Sequence, residues 1–148
     1  MKFITALTFA ASASAAAIEA RQSPTRQISN FSAGCIPHST FCEWSFEITS
    51  DPSLPPSHCS ARIQSAYGEL PTIGDGKCED NAAYTWGAVD TQDGGYRFGI
   101  WFPLNSRSNI TYCHRITPAQ TTKTQDGAVI TESYIGPTEF EASIEACN

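Results

Sequence analysis

The chain has 148 residues and carries 9 Lys+Arg against 15 Asp+Glu, a formal net charge of −6 at pH 7. That length bounds the answer to one domain. An acidic chain without a Lys/Arg run argues against nucleic acid and anionic membrane surfaces as partners.

The N-terminus sets Lys2 before "FITALTFAASASAAA", an apolar, small-residue run with A-x-A cleavage choices between Ala13 and Ala17. This reads as a secretory signal peptide over residues 1–17, too short and alanine-rich for a membrane span. "IEARQ" follows, and trimming after Arg21 would leave Gln22 as the mature N-terminus. Residues 18–27 are expected to be a short processed segment and flexible arm, and residues 28–148 a single β domain. Loss of residues 1–21 removes Lys2, Glu19 and Arg21, leaving 127 residues with 7 basic and 14 acidic side chains and a net charge of −7.

In "FCEWSFEIT" the residues Cys42, Trp44, Phe46 and Ile48 alternate with Glu43, Ser45, Glu47 and Thr49, the period-2 pattern of a strand with one buried face. "DPSLPPS" then stops the ladder with three prolines. "CSARIQSAY" is a weaker strand, and "GELPTIGDGKCEDN" reads as a long loop with turn chemistry at Gly74-Asp75-Gly76. "AAYTWGAVDTQDGGYRFGIWFPL" holds two strands joined around Asp93-Gly94, a dipeptide that supplies the positive φ of a hairpin. "SNITYCHRIT" and "AVITESYI" are further strands separated by a polar segment ending at Gly127, and "TEFEASI" closes the chain with Phe140, Ala142 and Ile144 on one face. Seven or eight short strands at this spacing predict an all-β, disulfide-stapled antiparallel β-sandwich or β-barrel.

Six cysteines, Cys35, Cys42, Cys59, Cys78, Cys113 and Cys147, follow the leader. In an oxidising compartment an even number reads as three disulfides. The short Gly/Pro-rich connection between Cys59 and Cys78 favours that pair, and the other two pairings stay open. A zinc knuckle from Cys35, His38 and Cys42, completed by His58 or Cys59, lacks the paired C-x2-C and H-x3-H arms of structural zinc sites. "IPHST" is therefore expected to be the turn between two stapling cysteines. Asn30-Phe31-Ser32 and Asn109-Ile110-Thr111 are glycosylation sequons, so Asn30 and Asn109 should face solvent.

Chemistry-bearing residues are sparse. No G-x-S-x-G nucleophile elbow occurs, and no Ser-His-Asp set can be picked out among the many serines. His38 is expected in a turn and His58 in solvent, with His114 partly buried in a sheet and satisfied by a hydrogen bond. Glu139 with Glu141, and Glu43 with Glu47, fall on single strand faces and read as solvated stripes rather than the facing carboxylates of a glycosidase. The chain is expected to be no enzyme and to need no cofactor or metal. In "GYRFGIWFP" Tyr96, Phe98, Ile100 and Phe102 share one face, which puts Arg97, Gly99 and Trp101 on the other. Trp101 and Arg97 are the binding candidates, since an accessible indole stacks on a sugar or anchors a partner; large apolar residues are, however, more often covered.

The "EARQ" junction, "ISNFSAGCIPHSTFCEWSFEI", the Pro-rich break before Cys59, "GDGKCEDN" and "YIGPTEFEASI" resemble, over residues 28–145, the Alternaria major-allergen family of small cysteine-rich fungal secreted proteins, which includes hypersensitive-response-inducing elicitors. The resemblance implies a β-barrel or sandwich, secretion into the host apoplast, no established enzymatic activity, and immune recognition or suppression, sometimes through binding plant defence proteins or small phenolic ligands. Dimers in that family are joined by a cysteine near the mature N-terminus. Here Cys35 is the first cysteine and all six can pair internally, so a monomer or weak homodimer is expected. No ligand-binding residue carries over. The function that follows is a secreted fungal effector or elicitor acting by binding in the apoplast, with a carbohydrate- or small-ligand-binding module or a protease/hydrolase inhibitor as alternatives.

Overall fold

Alternation of buried and exposed side chains runs through nearly every segment of this computed structural model, which describes residues 25–148. The expected signal peptide, the Arg21 trimming site and residues 18–24 lie outside the described residues. The described residues form ten strands: β1 (Thr25–Cys35), β2 (Phe41–Thr49), β3 (Ser57–Gln64), β4 (Ile73–Cys78), β5 (Thr85–Asp90), β6 (Tyr96–Asn105), β7 (Ser108–Ile116), β8 (Thr121–Asp126), β9 (Val129–Tyr134) and β10 (Phe140–Ser143). Short 3-10 turns lie at Pro118–Gln120 and Glu145–Cys147. No helix among the described residues is long and apolar enough to cross a membrane.

Seven strands run β7-β6-β5-β4-β3-β2-β1 in antiparallel order, and β10 pairs with both β7 and β1 to close an eight-stranded barrel. Of the two expected architectures, the barrel is the one that forms. At the seam β10 lies along β1 from Thr25↔Ser143 to Ile28↔Phe140, and meets β7 through Ser143↔Cys113. The remaining hairpin, β8–β9, attaches to β1 at Gly34↔Ser133 and stands beside the barrel.

Inward residues fill the barrel with aromatic rings. Phe31 is the hub, with ring centroids 4.8 Å from Tyr134, 5.0 Å from Phe140, 5.5 Å from Phe98 and 6.1 Å from Trp44, all four edge-on. Its inward aim depends on a bulge in β1. Ile28 and Phe31 are both buried although three positions apart, because Asn30 takes a positive φ of 51° and restores the inward phase.

Four expectations change. Thr25, Arg26 and Gln27 are not an arm: they pair with β10, and Arg26 is buried with its guanidinium 4.4 Å over the Tyr112 ring. The supposed loop around Gly74–Gly76 is β4, which a period-2 reading misses because a register shift lies between Ile73 and Gly76. Gly76 is needed there for close approach, since a Cβ would lie 2.4 Å from Trp86 Cε2. The polar segment "TTKTQD" is β8, an edge strand with no buried side chain and hence no alternation to read. Ile144 leaves the Phe140/Ala142 face, because the chain turns into the αR region there and the side chain is 39% exposed.

The turn expected at Asp93-Gly94 is present, with Gly94 at φ 85° and Thr91 N–H donating to the Gly95 carbonyl at 2.8 Å. The disulfides are Cys35–Cys42, Cys59–Cys78 and Cys113–Cys147. The second is the pair favoured by sequence spacing, and the first closes the β1–β2 turn, where His38 takes a positive φ of 59°. With all the sulfurs oxidised, the thiolates a zinc knuckle would need are spent.

Candidate functional site

Strand phase puts Arg97, Gly99 and Trp101 on the outer face of β6, as expected. Their neighbours are Val89, Gly87 and Thr85 on β5, and Arg115, Cys113 and Thr111 on β7. Gly87 and Gly99 are cross-strand partners and leave a smooth trough. The six-membered ring of Trp101 leans back over it: a Cβ built at Gly87 would lie 3.1 Å from Cη2, and one at Gly99 3.5 Å. Trp101 is thereby half-buried rather than fully exposed, one face on backbone and the other toward a hollow of about 290 Å³.

Val89, Arg97, Thr111 and the Cys113–Cys147 disulfide complete the walls of this hollow. Asp93 forms an ion pair with Arg115, the cross-strand partner of Arg97, while Arg97 has no ion-pair partner among the described residues. The two binding candidates therefore share one site, in which an indole face, a guanidinium fork and a hydroxyl converge on a mainly apolar surface. That combination stacks on a sugar or phenolic ring and hydrogen-bonds its hydroxyls.

The histidines differ from one another. His114 stacks on Phe140 with centroids 3.9 Å apart and hydrogen-bonds the Glu141 carbonyl through Nδ1 at 3.1 Å, matching the satisfied sheet histidine expected. Burial pushes its pKa below the ordinary 6.5, partly opposed by that hydrogen bond. Depression of the folded pKa means that this contribution to stability is complete above 6.5 and is lost as pH falls from there toward the folded value. Equilibrium unfolding from pH 7.5 to 4.5 should show that loss in the parent chain and a flatter profile in His114→Gln; identical profiles would refute it.

His58 is not merely solvated. Its Nε2 lies 3.3 Å from Ser45 Oγ and its Nδ1 3.3 Å from Glu79 Oε2, while Ser60 donates to Glu79 Oε1 at 2.6 Å. The Ser60 hydroxyl holds the Glu79 carboxyl below its usual value; desolvation opposes it, and the His58 charge and hydrogen bond add lesser lowering effects. By residue type this is a hydrolytic relay that the sequence could not reveal, since Ser45, His58 and Glu79 meet only through the β2–β3–β4 registers. It lies on the open outer face, with the His58 and Glu79 side chains 42% and 63% exposed. Ser45 sits mid-strand between β1 and β3, where backbone amides are committed to ladders rather than aimed at an oxyanion.

The acidic stripes are outer-face residues, as expected: Glu43 pairs with Arg62, and Glu47 accepts from the Asn30 amide at 2.8 Å. Asn30 and Asn109 are both exposed, the first in the β1 bulge and the second near the β6–β7 turn. No family model, no curated protein and no solved structure matches this chain.

Proposed function

We propose that this chain is a secreted, non-enzymatic fungal effector or elicitor that acts by binding a host plant protein or small ligand in the apoplast. The Trp101–Arg97 hollow carries the binding part of the reading: an indole held flat on a glycine trough beside a guanidinium without an ion-pair partner is built to meet something. Three disulfides in a small barrel are consistent with an extracellular protein. The plant-host setting comes from the resemblance described above.

A second reading, a carbohydrate- or phenolic-binding module, is favoured by the same platform. Trp44 and Trp86 are 1% and 0% exposed, so a ligand at Trp101 would perturb the one tryptophan within its reach.

Leaf infiltration tests the first reading. Mature protein should raise an oxidative burst, while Trp101→Ala, Arg97→Ala and a reduced, alkylated sample should raise little. Equal responses from all four samples would remove the folded platform from the explanation. A silent parent protein whose tryptophan emission is quenched by a cell-wall oligosaccharide or flavonoid, and unaffected in Trp101→Ala, would transfer the case to the second reading.

A further inference from the structure

Glu132 on β9 is 4% exposed, and a carboxylate so buried ordinarily has a cation beside it. Its Oε2 accepts the Leu70 backbone N–H at 2.8 Å and the Tyr96 hydroxyl at 3.1 Å, both neutral donors. Among the described residues no cation is in ion-pair contact with it, and its Oε1 accepts no hydrogen bond. Glu132 lines a cleft of about 400 Å³ between the β5–β6 turn, the loop before β4, and β8. This cleft is separate from the Trp101 hollow and shares no residue with it.

Two further carboxylates, Glu69 and Asp90, stand at the cleft, and the backbone of Gly94 and Gly95 forms part of the wall. Their convergence shows at Tyr96, whose pKa is raised first by burial, then by the charge of Glu132 and its hydrogen bond, and further by Asp90 and Glu69. Burial disfavours any charge there, a cation included, whereas the carboxylates oppose a phenolate and favour a cation. Lys123 already demonstrates this at the rim. Its ammonium bonds Glu69 Oε1 at 2.6 Å, and its pKa is raised by that bond and by the charges of Glu69 and Glu132. Lys123 bonds Glu69 and, as the cross-strand partner of Glu132, is shared with it electrostatically; three carboxylates outnumber this one cation, and Asp90 has no ion-pair contact among the described residues.

We propose that this cleft binds a small organic cation, a primary amine or guanidinium, with Glu132 as the central acceptor and Asp90 as a second. The volume suits a linear diamine or triamine, and the Lys123–Glu69 pair, reaching from β8 to the loop before β4, is the rim such a ligand passes.

Isothermal titration calorimetry of the full mature chain at low salt, with putrescine, spermidine and agmatine as probes and 1,4-butanediol as the neutral control, tests this. Saturable binding is expected for the cations and none for the diol. Glu132→Gln keeps an oxygen for the Leu70 N–H and the Tyr96 hydroxyl, and should weaken binding at least tenfold. Asp90→Asn should weaken it several-fold, Lys123→Gln should tighten it by freeing Glu69, and Glu43→Gln on the far outer face should leave it unchanged. Absence of saturable binding up to millimolar amine would overturn the proposal. So would losses in Glu43→Gln equal to those in Glu132→Gln, which mark nonspecific attraction to an acidic surface. Should Glu132→Gln lower the melting temperature, the exposed-rim pair Asp90→Asn and Lys123→Gln decides, because neither residue is buried.

Discussion

Trp44→Ala is expected to lower unfolding stability by about 3–5 kcal/mol in urea titration, while Trp101→Ala costs about 1 kcal/mol or less. The contrast follows from strand phase. Trp44 is 1% exposed, with Phe31 and Tyr96 edge-on to its ring at 6.1 and 5.6 Å, so truncation opens a cavity no neighbour can fill without leaving its rotamer. Trp101 rests on a glycine trough outside the barrel, and its loss returns a half-wet surface to water. Trp44 Nε1 has no hydrogen-bond partner among the described residues, so Trp44→Phe removes an orphaned donor along with part of the ring and should cost much less than Trp44→Ala. Equal losses for Trp44→Ala and Trp101→Ala would show that Trp101 is a core residue.

The second large effect belongs to the seam. Cys113–Cys147 spans 34 residues against 7 for Cys35–Cys42. Chain-entropy arguments then give about 4 kcal/mol for the longer link and about 2.5 kcal/mol for the shorter. Position sharpens the difference. The β7–β10 pairing is the single pair Ser143↔Cys113, and the disulfide ties Cys147 to the same residue of β7, whereas Cys35–Cys42 reinforces a hairpin already held by several ladder pairs. The double substitution Cys113→Ala/Cys147→Ala should therefore destabilise more than Cys35→Ala/Cys42→Ala, with amide exchange rising first in β10. The reverse order would mean that the seam holds without its staple.

Legibility followed the physics of alternation. β2, the β5–β6 pair and β7 each bury one face, so period 2 was visible in their residues, and the outward placement of Arg97 and Trp101 came with it. β4 was hidden by its bulge and its glycines, and the purpose of Gly76, admitting the Trp86 ring, appears only when β5 is alongside. β8 was hidden because an edge strand of threonines and charges buries nothing. Arg26 looked like part of an arm since nothing local says that an arginine will be covered by a tyrosine from β7. The Glu132–Tyr96 contact joins residues 36 positions apart, and Ser45–His58–Glu79 joins β2, β3 and the residue after β4. Neither leaves a mark in the linear pattern, because each is made by register rather than by spacing.

Closure of the barrel by β1 and β10 orders events in time. Thr25 finds its partner only when Ser143 has been made, so the seam stays unformed until nearly the whole chain has been synthesised. The strand made last is thus the one that shuts the barrel, and until it docks β1 and β7 present open edges to it.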